Sequence, residues 1–398
     1  MAIVVKKFGG SSVGNVELIR GIAQRLAKDY RSGDKLVLVV SAMAKTTDKL
    51  FDLAYQISPH PSRRELDMLL TAGERISMSL LSLALLEEGI ASISFTGSQS
   101  GIITDKRHGN ARILKVNAFR IHEELAQGKV VIVAGFQGVS TSKEITTLGR
   151  GGSDTSAVAL ASYLGAERCE IYTDVAGVFT ADPRIVPDAK FIPEIGYQDM
   201  LALAYSGSKV MHPRAVEYAC KYRVKVEIKS SFSFDNGTIM QAELPGGVLD
   251  NKGKGDKMED RFVSAIAHKD NLMQYRLTAN AHAVELLKHW QHEIFKLAQI
   301  EGELEIYVES KYAQDIDFYL KQKGCQNFQK NDEMAFVVLV GLGLASDPLF
   351  VAQVMELMLP LKLQRICHSE RALELMLPRE SIPEALKLLH QEIIGDRK

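Results

Sequence analysis

Short β-branched runs alternate with amphipathic stretches along the first part of the chain. Ile3–Val5, Leu36–Val40, Ser92–Phe95, Val130–Ala134, Cys169–Tyr172 and Val224–Ile228 read as strands. Between them, Val16–Lys28, Glu65–Leu86, Ala118–Gln127, Ser153–Leu164 and Pro213–Tyr222 carry apolar positions at helical spacing. Nearly all-apolar strands alternating with helices predict an α/β fold whose mainly parallel sheet is covered on both faces. Ligands of such sheets sit beyond the carboxyl ends of the strands, so the residues just after each strand are the ones to inspect.

The pattern changes near Asp235. A stretch rich in Gly, Asp, Lys and Asn follows and reads as a linker. Beyond it, strands are predicted at Val263–Ala267, Gln274–Thr278, Leu304–Val308, Met334–Val340, Leu363–Cys367 and Ala372–Leu377. Helices are predicted at Ala281–Ile300, on the spacing of Val284, Leu287, Trp290, Ile294 and Leu297, and at Ala313–Lys323, Pro348–Leu359 and Ile382–Ile394. This is two rounds of a small ferredoxin-like pattern. The predicted organisation is a first domain over 1–235, a linker over 236–260, and small units over 261–332 and 333–398.

Charge narrows the partners. Lys and Arg number 48 against 49 Asp and Glu in 398 residues. A nucleic-acid binder would carry a basic excess, so no nucleic-acid partner is expected. A phosphate ligand needs only local positive charge and stays open. Cys169, Cys220, Cys325 and Cys367 form no C-x-x-C and no disulfide framework, which fits a reducing compartment. The N-terminus shows no cleavage signal, and the longest mostly apolar stretch, Ile76–Leu86, falls short of a membrane span. The expectation is a soluble, cytoplasmic protein with no membrane partner. His289 and His292 share a predicted helix face, but with His282 they lack an acidic third ligand and read as surface residues.

Candidate chemistry follows the first strand. Lys7-Phe-Gly-Gly-Ser-Ser-Val-Gly14 leads into a helix, and glycines there let backbone N–H groups approach phosphate oxygens. The plainer reading is a strand–helix turn with a serine cap. No G-x-x-x-x-G-K-[ST] occurs, so this is not a P-loop. Gly10-Ser-Ser-Val-Gly14 fits the G-x-S-x-G elbow and would make Ser12 a hydrolase nucleophile, but only six residues precede the turn. A second glycine loop, Thr146-Thr-Leu-Gly-Arg-Gly-Gly-Ser-Asp-Thr155, opens the helix Ser153–Leu164. Arg150 suits bidentate carboxylate or phosphate binding. Asp154 either complements the helix dipole or orients a lysine or a Mg²⁺-bound phosphate. Tyr172–Arg184 lies just past a strand, and Lys209 precedes a helix as a phosphate contact or a solvated lysine. Ser41–Thr47 follows the second strand. Glu74 sits in an apolar helix, either solvated or holding a substrate ammonium.

Lys7-Phe-Gly-Gly-Ser-Ser-Val13, Phe95-Thr-Gly-Ser-Gln-Ser-Gly101, Gly135-Phe-Gln-Gly138, Thr147-Leu-Gly-Arg-Gly-Gly-Ser-Asp154 and Thr173–Arg184 closely resemble the aspartokinases, over about residues 1–232. The resemblance implies the amino acid kinase fold, an open αβα sandwich with a mostly parallel sheet, plus two ferredoxin-like ACT-type units. It implies phosphorylation of the side-chain carboxylate of L-aspartate by ATP. Mg²⁺ would be held mainly through the nucleotide phosphates, with no metal site built by the protein alone. An aspartate carboxylate is already ionised near neutrality, so no general base is needed.

The resemblance also assigns roles. Lys7, Asp154 and Lys209 would be catalytic. Lys7, Phe8, Gly9, Gly10, Ser11, Ser41, Thr173, Asp174, Phe179, Asp182, Arg184, Lys209 and Val210 would surround ATP. Thr47, Glu74, Arg150, Gly151, Gly152 and Ser153 would bind aspartate. ACT pairing implies a homodimer or higher oligomer. The chain departs from the family at Ala176, where Asp is usual, and at Ala44, where Gly is frequent. Thr278-Ala-Asn-Ala-His-Ala283 replaces a glycine turn, and Leu349 stands where Gly is common, so feedback by lysine or threonine is expected to be weak or absent. The alternative for this half is a dimerisation module without amino-acid sensing. Two other readings compete for the whole chain: a kinase of the same fold with another acceptor, and a non-catalytic amino-acid sensor.

Overall fold

Eight strands line up in one sheet in the computed structural model, which describes residues 2–233, 237–242, 262–290, 294–325 and 327–395. Most of the predicted 236–260 linker and His292 lie outside the described residues. In spatial order the strands are Glu194–Gly196, Thr238–Gln241, Val226–Ser230, Arg168–Thr173, Ile3–Phe8, Lys35–Val40, Val130–Ala134 and Ser92–Phe95. All pairs are parallel except Val226–Ser230 with Thr238–Gln241. Strand alternation sorts the side chains onto two faces. Leu36, Leu38 and Val40 pack on one face with Ile19, Leu26, Leu81 and Leu85. The other face, which carries Lys7, meets the helix Gly152–Leu164.

The described chain divides into two units. The first holds the chain up to Val178, Phe191–Leu201 and the stretch from Lys209; the second holds Phe179–Lys190, Ala202–Ser208 and the residues from 262 onward. A small four-stranded sheet of Ile113–Val116, Ile102–Thr104, Gln137–Ser140 and Ile145–Thr147 belongs to the first unit. Its strands are only three or four residues long, and the sequence pattern misses them. It also misses the helices Thr46–Ile57 and Tyr197–Tyr205.

The predicted helix Glu65–Leu86 is two helices, Arg63–Leu70 and Ala72–Glu87, that meet at Thr71. Arg63–Glu87 is long and apolar enough to cross a membrane by length and composition, more than Ile76–Leu86 suggested. Half of its most apolar window is buried inside the protein, where Met78, Leu81 and Leu85 pack on the sheet.

The second unit corrects two expectations. The helix predicted over Ala281–Ile300 ends at Trp290, and Ile294–Ile300 is a strand paired with Glu303–Glu309. Glu301 and Gly302 both take left-handed backbone, with φ of 50° and 84°. Two such residues make a tight hairpin turn, a signal stronger than the helical spacing of Ile294 and Leu297. The two predicted rounds also interleave. Leu272–Thr278, Ile294–Ile300, Glu303–Glu309 and Phe328–Asn331 form one antiparallel sheet with its two helices. The other sheet takes Phe262–Lys269 as the outer strand beside Met334–Leu342, Ala372–Pro378 and Arg365–Ser369. The opening strand of the first round therefore completes the second. A period of two identifies a strand but not its neighbour.

Glu305 ties the two sheets together. It is fully buried, and it accepts from Arg276 Nη2 at 2.6 Å, Arg365 Nη1 at 2.7 Å and Tyr307 Oη at 3.0 Å. Burial pushes its carboxyl up, but the hydrogen bonds from Arg365 and Arg276 outweigh this and hold it at about 2. A lowered pKa stabilises the fold above the unfolded value of about 4.5 and loses that contribution as pH falls toward about 2. The Glu305→Gln variant should therefore melt lower than the parent near pH 7, with the gap closing as pH drops to about 3 in thermal denaturation.

Candidate active site

The first strand sends Lys7 and its neighbour Lys6 to opposite faces. Lys7 is 8% exposed, and its Nζ lies 2.6 Å from Asp154 Oδ1 in the first turn of the helix Gly152–Leu164. The two glycine loops of the sequence are thereby joined. Lys6 faces the other way, pairing with Asp29 at 2.7 Å and Glu170 at 2.9 Å.

The loop after Lys7 is tightly constrained. A Cβ on Gly10 would sit 2.9 Å from the Ala42 carbonyl, too close for a side chain. Ala44 N–H donates to the Gly10 carbonyl at 2.9 Å, so the loops after the first two strands are bound together. Ala44 does this with φ of 42°, the left-handed region that explains why glycine is frequent there. Two expectations change. The Gly9 N–H donates to the Tyr172 carbonyl at 3.2 Å, so it is committed to the sheet edge. Phe8 stacks on Tyr172 at 4.8 Å and is 2% exposed, which makes it a core residue. Gly10 and Ser11 are the loop amides that the phosphate reading then rests on. Ser12 is buried with its Oγ 2.5 Å from Ser231 Oγ, a hydroxyl partner rather than the imidazole a hydrolase nucleophile needs.

The second loop is held from both sides. Gly151 has φ of 64°, and a Cβ there would fall 2.1 Å from His212 Cβ. Only glycine fits, and the contact brings the segment that carries Lys209 and Val210 against Arg150–Ser153. Lys209 and Arg150 are exposed, while Ser153 is buried. His212 caps the helix Pro213–Tyr222 by accepting from Arg214 N–H at 3.3 Å, and burial lowers its pKa. Arg214 was not anticipated. Its guanidinium donates to Leu148 O at 2.7 Å, Asn110 Oδ1 at 3.1 Å and Ala111 O at 2.5 Å.

Glu74 is 3% exposed in the helix Ala72–Glu87. Its Oε1 accepts from Ala42 N–H at 3.1 Å, and its Oε2 is buried without a hydrogen-bond partner. Ser77 in the same helix donates to Ser41 O at 2.7 Å, which anchors that helix to the loop before half-buried Thr47. Burial pushes the Glu74 carboxyl up to about 7, against the Ala42 hydrogen bond. Thr173 Oγ1 donates to Asp174 Oδ1 at 3.0 Å at the end of its strand. Phe179, Asp182 and Arg184 belong to the second unit, where Arg184 Nη2 pairs with Asp182 Oδ2 at 2.6 Å. Among the described residues, no group of three His, Cys, Asp or Glu could hold a metal ion by itself.

A raised carboxyl pKa costs stability as pH rises from about 4.5 to about 7, where the buried group is forced to ionise. The Glu74→Gln variant should therefore gain melting temperature over the parent at about pH 8 and match it near pH 4.5 in calorimetry.

Residues 2–230 match the amino acid kinase family. An aspartokinase of Bacillus sp. (strain MGA3) is 40% identical over 414 residues, covering 98% of this chain and 97% of that protein. An aspartokinase of Thermus thermophilus is 39% identical over 415 residues, covering 100% of both. The structure of E. coli aspartokinase III in complex with aspartate and ADP shares the fold, with a TM-score of 0.80 at 23% identity over 98% of this chain and 100% of that one. The aspartate kinase of Synechocystis is 35% identical with a TM-score of 0.57, over 98% of this chain and 69% of that one. End-to-end similarity, joined to two glycine loops that meet at Lys7 and Asp154, places this chain in the aspartokinases, within the amino acid kinase family.

Proposed function

We propose that this enzyme transfers the γ-phosphoryl group of ATP to the side-chain carboxylate of L-aspartate, giving 4-phospho-L-aspartate. That reaction opens the biosynthesis of lysine, threonine and methionine. The observation that carries the reading is Glu74, whose buried Oε2 has no partner among the described residues. A buried carboxylate oxygen left unpaired is costly, and a substrate ammonium would satisfy it.

The remaining groups divide between the two ends of the reaction. Lys7, oriented by Asp154 at 2.6 Å, holds the transferring phosphoryl with the Gly10 and Ser11 amides. Lys209 holds nucleotide phosphates, with Ser41, Thr173, Asp174 and Val210 of the same unit around the nucleotide. Arg150 clamps the α-carboxylate of aspartate, beside Thr47 and the Gly151–Ser153 turn. Mg²⁺ neutralises phosphate charge when bound, and Asp154 is the oxygen donor of suitable type; this cation takes one or two carboxylates and fills its shell with phosphate oxygens and water. The acceptor carboxylate is already ionised, so the residues need only align it in line with the γ-phosphorus and exclude water.

For the second unit we assign assembly into a homodimer or higher oligomer rather than amino-acid sensing. Asn280 Oδ1 accepts from His282 N–H at 3.0 Å and Ala283 N–H at 3.2 Å. Asp347 Oδ1 accepts from Leu349 N–H at 2.7 Å. Both helix starts are thus capped by the chain's own side chains. Leu349 is 79% exposed, so it fills no pocket in its own unit. The strand Ile294–Ile300 lies at a sheet edge with Leu297 47% and Ile300 37% exposed, which supports pairing with a second copy. The cysteines are free, in keeping with a cytoplasmic enzyme.

Hydroxylamine trapping tests the activity: a hydroxamate should form with ATP and L-aspartate and not with L-glutamate. Lys7→Ala should lower kcat by roughly 10²–10³-fold with an unchanged circular dichroism spectrum, and near-normal turnover would remove Lys7 from the mechanism. Glu74 must be ionised to attract the ammonium, so KM for aspartate should rise as pH falls below about 7. Glu74→Gln should raise that KM and flatten its pH profile.

A further inference from the structure

Asp67 is fully buried in the helix Arg63–Leu70, one helical joint before Glu74. Three polar groups make four contacts with its two oxygens. Thr147 Oγ1 donates to Oδ1 at 2.6 Å. Gly109 N–H is shared between Oδ1 at 3.1 Å and Oδ2 at 3.2 Å. His108 Nδ1 lies 2.7 Å from Oδ2.

These partners lie on separate elements. Thr147 ends the strand Ile145–Thr147 and opens the loop that carries Arg150. Thr147 also receives Ala111 N–H on its carbonyl at 2.8 Å. Gly109 leads into Asn110 and Ala111, the two residues that Arg214 grips together with Leu148. On the other side, Gln137 Nε2 donates to Thr71 O at 3.2 Å, at the joint between Asp67's helix and Glu74's helix. A Cβ on Gly149 would lie 3.0 Å from Asn110 Oδ1, so the Arg150 loop lies directly on the segment that Asp67 anchors.

We propose that Asp67 is a positioning residue for aspartate binding: its carboxylate fixes the distance between the helix bearing Glu74 and the loop bearing Arg150. This rests on the reading that Glu74 and Arg150 hold the ammonium and α-carboxylate of the substrate. A small amino acid held at both ends needs its two charged contacts at a set spacing, because the substrate has little length to adapt. Hydrogen bonds to a buried charge are the strong ones, and one carboxylate tied to both the Thr147 strand and the His108–Gly109 loop is a rigid spacer. Lys7 and Asp154 make no contact with Asp67, so the aspartate pocket should respond to the spacer more strongly than the nucleotide end.

Thr147→Val tests it, since it keeps the shape of the side chain and removes one hydroxyl from the cluster. KM for aspartate should rise about tenfold and KM for ATP change little, while the melting temperature falls, because a buried carboxylate oxygen loses a donor. Thr147→Ser restores the hydroxyl and should return KM for aspartate to within about twofold of the parent. Asp67→Asn should raise KM for aspartate as well, and adding Thr147→Val to it should cost less than in the parent background, because the two share one bond. The proposal is overturned if Thr147→Val leaves KM for aspartate unchanged, if it raises both KM values alike, or if Thr147→Ser is no better than Thr147→Val. Arg150→Gln separates this from the underlying reading. If it leaves KM for aspartate unchanged, the assignment of Arg150 itself fails. If it raises that KM and Thr147→Val does not, only the spacer role of Asp67 fails.

Discussion

The ion pair between Lys7 and Asp154 is the interaction that joins the two glycine loops and on which the proposed catalytic arrangement depends. It spans 2.6 Å between side chains that are 10% and 13% exposed. One partner ends the first strand, and the other starts a helix well beyond a hundred residues later in the chain. A pair buried this far contributes little net stability, because desolvation offsets most of the attraction. Its value is positional: it holds a cation at the carboxyl edge of the sheet, the place the proposed function assigns to the transferring phosphoryl group. The alternation of the strand makes this possible. Lys6 and Lys7 are adjacent in sequence and identical in chemistry, yet Lys6 is absorbed by Asp29 and Glu170 on the opposite face.

Backbone constraints then shape the space around that pair. Gly10 must lack a side chain because of the Ala42 carbonyl, and Gly151 because of His212. Ala44 keeps the left-handed backbone without being glycine, so some strain is carried next to the first loop. Glu74 carries another cost. A carboxyl pushed up to about 7 by burial opposes folding near neutral pH, and in the proposed function its unpartnered oxygen is the contact for the substrate ammonium. On that reading, stability and substrate binding pull in opposite directions at one residue.

The second unit follows a different logic. Its two sheets are each of ferredoxin-like order, but one borrows its outer strand, Phe262–Lys269, from the start of the unit. Glu305 joins the sheets by taking Arg276 from its own sheet and Arg365 from the other. The segment Phe179–Lys190 also packs in this unit, through Ala181 and Val186 in its core and the bond between Thr180 and His390 at 2.9 Å. A motif that reads as one continuous nucleotide loop is therefore divided between two units at Val178 and Phe179.

Much of this was legible in the chain itself. Short β-branched and apolar runs located six of the eight strands of the main sheet, and their alternation with helices determined its parallel character, because buried parallel strands have to be largely apolar. The glycine loops and the residues resembling aspartokinases identified the chemistry. What the sequence could not carry is whatever depends on partners distant along the chain. Asp67 has no local signature, since an aspartate in a short amphipathic helix is ordinarily solvated. Arg214 reads as a surface residue, and Ile294–Ile300 reads equally as a helix face. Strand partners, the face each lysine takes and the convergence of donors on Asp67 arise only when the sheet closes, because hydrogen bonding and exclusion of water act between elements that sequence order does not bring together.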